Sequence, residues 1–193
     1  MKKILRLLIA AAAAVVSAPL AAQQGANTVL TGVEGVPWGA TREQVEAKLG
    51  APDSTYARGD TISLIYWRRP AFGMTAMMEV GIQPGAGMNS AAYLVRDIPA
   101  DCTATFDRVV RQITDAHAGL KPDEIIFMVN GIASADHAGD CRRFAAADGP
   151  AILLSRFLRD PTGPGNVFLF STAQSARGMV LVAHFTARPR ARR

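Results

Sequence analysis

This chain of 193 residues has no apolar run long enough to cross a membrane as a helix. The longest uninterrupted one, residues 7–16, falls well short of the roughly 20 residues a spanning helix needs. Histidine and cysteine are scarce, at three and two residues, and they show none of the familiar zinc-ligand spacings. There is no Gly-x-Ser-x-Gly elbow to raise a nucleophilic serine. There is no phosphate-cradling loop, because Gly85-Ala86-Gly87 lacks a following helix start and lysine. The carboxylates are scattered, so no acid/base pair stands out. The common hydrolase, nucleotide-binding and zinc-enzyme patterns are therefore missing.

What is present begins with an export signal. Met1-Lys2-Lys3-Ile4-Leu5-Arg6 is basic, residues 7–16 are apolar, and Ser17-Ala18-Pro19-Leu20-Ala21-Ala22 ends the run with small residues. This is the layout of a secretory signal peptide over residues 1–22, with cleavage expected between Ala22 and Gln23. A lipid anchor would need cysteine as the first mature residue, and Gln23 stands there. The expected product is periplasmic or secreted, soluble after cleavage, not a lipoprotein, and without a transmembrane segment.

The basic balance sits at the two ends. Lysine and arginine number 21 against 16 acidic residues. Removing Lys2, Lys3 and Arg6 leaves 18 against 16, and removing Arg188, Arg190, Arg192 and Arg193 leaves 14 against 16. The body is thus slightly acidic, and nucleic acid is not an expected partner. In an exported chain the two cysteines, Cys102 and Cys141, are expected to form a disulfide. Closing that loop of about 40 residues stabilises the fold by roughly 4 kcal/mol in the chain-entropy model.

The local signals are clearest around residues 36–52. Gly35, Pro37 and Gly39 punctuate the chain. Thr41 is a good N-cap with Gln44 three residues on, the pattern of a capping box. Val45 and Leu49 share a helix face, Gly50 suits a helix end, and Pro52 prevents continuation. A helix of eight residues is too short to stand alone and needs tertiary packing, which Trp38 is expected to help supply. Strands are expected at 61–67, 74–82 and 90–98, with Ile62, Leu64 and Tyr66 on one face. A second helix is expected after Asp101. Its stripe of Cys102, Phe106, Val109, Val110, Ile113 and His117 has helical spacing, and Gly119 and Pro122 end it. Strands at 124–130, 151–158, 167–172 and 179–186 follow. The order predicts an α+β chain of two tandem helix-then-antiparallel-sheet units, residues 23–98 and 99–187, followed by a basic tail at 188–193.

Pro37-Trp38-Gly39-Ala40-Thr41, then Val45, then Leu49-Gly50-Ala51-Pro52, resembles the opening of the SmpA/OmlA (BamE-type) outer-membrane lipoproteins. The same opening is similar to that of the β-lactamase inhibitor protein (BLIP), which has two tandem copies of a helix-on-sheet fold. The resemblance covers residues 33–67. It implies a BLIP-like layout and an envelope setting, with Trp38, Gly39, Thr41, Leu49, Gly50 and Pro52 as fold determinants. It carries over no lipid anchor, because the anchoring cysteine is missing, and no partner-contacting residue.

Function remains open between two classes. The preferred expectation is a non-enzymatic interaction module for an envelope or secreted protein, with no cofactor and no metal. Met77 is in the outward phase of its strand and methionine adapts to irregular partners; His184 is a second surface candidate. The tail arginines 188, 190, 192 and 193 are candidates for weak contact with an anionic envelope surface. The alternative is a small hydrolase or thiol/metal enzyme centred on His137 and Cys141, which needs a free thiolate or a bound metal.

Overall fold

The structure, a computed structural model, describes residues 30–96, 98, 102–117, 119–122, 126–129, 132–133, 152–159, 163–174 and 178–187. The first described element is a hairpin of β1 (Gly32–Val33) and β2 (Val36–Pro37). Its loop, Glu34-Gly35, has φ of 51° and 75°. Positive φ at both positions is what a tight two-residue I′ loop requires. Helix α1 (Arg42–Leu49) follows. Thr41 accepts from the Gln44 backbone N–H, and the Gln44 side chain accepts from the Thr41 N–H at 2.9 Å, so both halves of the capping box are present. Gly50 ends the helix at φ 88°, its N–H donating to the Glu46 carbonyl at 2.8 Å.

Strands β3 (Ser54–Arg58), β4 (Thr61–Ala71), β5 (Met74–Gln83) and β6 (Gly87–Arg96) come next. Then come α2 (Cys102–Ala116), β7 (Lys121–Pro122), β8 (Ile126–Val129), β9 (Ile132–Ala133), β10 (Ile152–Arg159), β11 (Gly165–Gln174) and β12 (Gly178–Ala187). Strands β3 to β12 form one sheet in the order β3-β4-β5-β6-β12-β11-β10-β8-β9, with β7 also against β10. Every pairing is antiparallel.

This overturns the expected α+β class with two tandem, BLIP-like units. The chain is mostly antiparallel β, and a single sheet runs through both halves. The joint is the pairing of β6 with β12, from Val180↔Arg96 to Thr186↔Ser90. Two separate sheets would leave both strands as long edges with unpaired backbone groups; joining them satisfies those groups. Alternation along each strand marks it as a strand but does not name its neighbour.

Both helices lie over the same face. Leu64 and Tyr66 on β4, Met78 and Val80 on β5, Tyr93 and Val95 on β6, Leu181 and Ala183 on β12 and Leu169 on β11 point inward. They share one apolar cluster with Val45 of α1 and Phe106, Val109, Val110 and Ile113 of α2. Residues of the N-terminal hairpin, Val33 and Val36, join the same cluster.

A polar clasp fixes that hairpin to the sheet. Glu34 accepts from the Tyr93 hydroxyl at 2.7 Å and forms an ion pair with Arg69. The Arg69 guanidinium also lies 5.8 Å from the Tyr66 ring centroid. Phe72 and Phe185 meet the Tyr93 ring edge-on, at 5.6 and 5.9 Å between centroids. Burial pushes the Tyr93 phenol well above its ordinary range, and the Glu34 carboxylate adds to that effect. Glu34 is a non-glycine residue at positive φ, a conformation that costs energy. The Tyr93 hydroxyl and the Arg69 guanidinium, both bound to its carboxylate, hold it there.

Candidate functional site

The sheet has a second face, and among the described residues neither helix covers it. Strand alternation sets its composition. One row of outward positions crosses seven strands: Ser54, Ile65, Glu79, Ala92, His184, Phe168 and Phe157. A neighbouring row carries Met77, Leu94 and Val182. Three large apolar side chains are well exposed among the described residues: Trp67 at 52%, Tyr56 at 44% and Phe168 at 37%. All three lie on this outward face, in phase with Ile65, Ser63 and His184 respectively.

Trp67 is exposed for a local reason. The β4–β5 register slips between Tyr66 and Arg69, so Trp67 and Arg68 bulge from the ladder, with Arg68 at φ 60°. A bulge leaves an extra backbone group unpaired and re-aims the side chain beside it. Here the Asp53 carboxylate accepts the Trp67 backbone N–H at 2.6 Å. Asp53 immediately precedes β3, on the side of β4 away from β5, so this bond occupies a donor on the edge that β4 presents beyond the end of β3.

Two polar features mark the same face. Glu79 accepts from the Tyr56 hydroxyl and from the Ser63 hydroxyl, both at 2.7 Å. The bond to Glu79 raises the Tyr56 phenol, and burial adds to the rise. His184 lies two strands from Glu79 in the same row. Burial lowers its imidazole, with Glu79 pulling weakly the other way. Farther along, the Phe157 and Phe168 rings stand 6.3 Å apart, and the Arg159 guanidinium lies 4.9 Å from the Phe157 centroid.

The structure brings Met77 and His184 onto this one face, in adjacent rows on β5 and β12. Both are half-buried. The fold-motif residues lie elsewhere. The Trp38 indole N–H donates to the Leu30 carbonyl at 2.9 Å, and the ring packs half-buried against the core. The Gly39 N–H donates to the Met88 carbonyl at 2.8 Å, Leu49 packs on the core, Pro52 is half-buried, and Thr41 and Gly50 hold the ends of α1.

Cys102 begins α2. Cys141 lies outside the described residues, so the expected disulfide does too. His137 and the tail arginines 188, 190, 192 and 193 also lie outside them. Among the described residues, no three His, Cys, Asp or Glu side chains are grouped to hold a metal ion.

Sequence reasoning missed Tyr56, Trp67, Phe168 and Glu79. For Trp67 the signal was present, because it stands in the opposite phase to Leu64 and Tyr66. For Tyr56 it was not, because the exposed residues of β3 show no apolar alternation.

No family model, curated protein or solved structure matches the chain. No helix of the described residues is long and apolar enough to cross a membrane.

Proposed function

We propose that this chain is a non-enzymatic protein-binding module of the cell envelope or secreted space, and that it engages its partner through the helix-free face of the sheet. One observation carries the reading: Tyr56, Trp67 and Phe168, the large apolar side chains that stand exposed among the described residues, share that face. Single exposed apolar residues are ordinary, but several on one face with an aliphatic row between them mark an interaction surface. Aromatic residues and methionine are also the types enriched at the buried centres of protein interfaces. Glu79, His184 and Arg159 supply polar groups around that apolar area, which suits a protein partner with a mixed surface. The export segment supports the compartment, as does the likeness of residues 37–52 to envelope lipoproteins.

The test is site-specific photo-crosslinking in producing cells. A crosslinking residue at Phe168 or Met77 is expected to trap a discrete protein adduct. One at Gln112, on the exposed side of α2, is not. A combined Tyr56→Ser, Trp67→Ser and Phe168→Ser variant is expected to keep its fold and lose the adduct. Equal trapping from both surfaces, or an adduct that survives the triple substitution, rules the reading out.

A further inference from the structure

Strand β3 ends the sheet, and the contrast along that sheet edge points to a second use of the molecule. We propose that two copies of the chain pair antiparallel through β3, joining their sheets edge to edge about a two-fold axis. This goes beyond the binding face, because it concerns the strand's backbone edge and a partner of known sequence.

The edge has two parts. Strand β4 extends past β3, so residues 66–71 of β4 form the edge themselves. That part is well protected against pairing. It has the bulge at Trp67 and Arg68, Arg68 in the left-handed region, and Pro70, which lacks an N–H. The Asp53 carboxylate occupies the Trp67 N–H. Bulges, prolines and occupied donors are the devices by which proteins blunt edge strands.

Strand β3 carries none of them. Its five residues pair with β4 in unbroken register from Ser54↔Ile65 to Arg58↔Thr61, and all five are exposed. It contains neither proline nor lysine. Among the described residues no strand lies on its outer side.

The charges around β3 select the occupant. Asp53 stands just before the strand and Arg58 is its last residue. Antiparallel pairing of two identical strands, centred on Tyr56, sets Arg58 of each copy opposite Ser54 of the other and next to its Asp53. The two-fold axis makes that contact twice, and opposite charges across strands favour pairing. A parallel arrangement would set like charges together. The same register places the two Tyr56 side chains opposite one another on the helix-free face. Five residues a side make a small interface, so the dimer is weak and forms at high concentration.

The experiment uses the full chain purified after export. Sedimentation equilibrium at rising concentration is expected to show a monomer–dimer equilibrium that weakens with salt. Arg58→Glu is expected to weaken it by roughly fivefold or more, since two attractive contacts become repulsive. Mild oxidation of a Tyr56→Cys variant is expected to yield a covalent dimer, because residues directly opposite across strands lie close enough to bridge. Parent chain and Phe168→Cys, oxidised in parallel, are expected to yield none. A chain that stays monomeric at all concentrations overturns the proposal. So does a dimer crosslinked through Phe168→Cys but not Tyr56→Cys, which would mean that the copies meet face to face. Capture of a foreign strand by β3 without self-association overturns it as well. Strand capture leaves the photo-crosslinking test of the binding face unaffected, whereas a face-to-face dimer would make a second copy the occupant of that face and the photo-crosslinked adduct a homodimer.

Discussion

The Glu34 carboxylate accepts the Tyr93 hydroxyl at 2.7 Å across 59 residues of sequence. That bond, with the Arg69 ion pair on the same carboxylate, ties the first hairpin to the middle of the sheet. Tyr93→Phe removes one half-buried hydrogen bond and keeps the ring packing. It is expected to cost about 1–2 kcal/mol, because the bond is to a charged group. Glu34→Ala also leaves Arg69 without its counter-charge, and is expected to cost more, about 2–3 kcal/mol. Urea denaturation of the two variants checks the order.

The same tyrosine gives an alkaline prediction. Its folded pKa is raised by burial and by Glu34. A group with a raised folded pKa contributes stability that is complete below its unfolded pKa, about 10 for tyrosine, and is lost as pH rises beyond it. The parent is therefore expected to lose stability above that pH more steeply than Tyr93→Phe. Thermal melts across the alkaline range measure the difference in slope.

His184 behaves in the opposite sense. Its folded pKa is lowered, chiefly by burial. The unfolded chain then takes up a proton near the ordinary histidine value of about 6.5 while the folded chain resists it. The stability linked to His184 is complete above that value and is lost as pH falls through the folded pKa. His184→Gln is expected to flatten the acid side of the stability curve below about pH 6.5, where the unfolded histidine takes up its proton. An unchanged acid slope in melts of the variant would falsify this assignment.

Gly87 is a position where a methyl group has no room. A Cβ there would lie 2.2 Å from the Gly39 carbonyl oxygen and 2.8 Å from that of Ala40, and its φ is 73°. These obstacles are backbone, held by the bonds between Met88 and residues 39 and 40. Gly87→Ala is expected to cost about 2–4 kcal/mol, from the left-handed backbone plus overpacking. Gly85→Ala, with φ 75° and nothing within 4 Å, is the control. It is expected to cost only the backbone part, about 1–2 kcal/mol.

Trp38 is half-buried, with its indole N–H bonded to the Leu30 carbonyl. Trp38→Ala is expected to cost about 2–3 kcal/mol, below the range for a fully buried tryptophan. Trp38→Phe separates the two parts: it retains most of the packing and should lose only about 1 kcal/mol with the hydrogen bond. Chemical denaturation of both variants gives the partition.

Much of the local structure was legible in the sequence. The ends of α1 could be read because a cap, its reciprocal glutamine and a terminal glycine act within a few residues of one another. The inward phases of β4, β5 and β6 could be read because one buried face imposes alternation. The buried stripe of α2 could be read from its helical spacing. Each of these depends on neighbours in the chain. Strand β3 was not legible, since five exposed residues carry no burial pattern. Nor was the bulge at Trp67 and Arg68, a slip in register against β5 beside which Asp53, distant in sequence, accepts the Trp67 N–H.

What the sequence alone determined was where helices and strands begin, and which of their sides seek burial. Only the tertiary structure decided which strands are neighbours. A strand's hydrogen-bonding edge looks the same whatever comes to lie beside it. The pairing of β6 with β12 merged two apparent units into one sheet and put both helices on one side. By that placement the other side was left uncovered by either helix, and Met77, His184, Trp67, Tyr56 and Phe168, drawn from five different strands, came to share it.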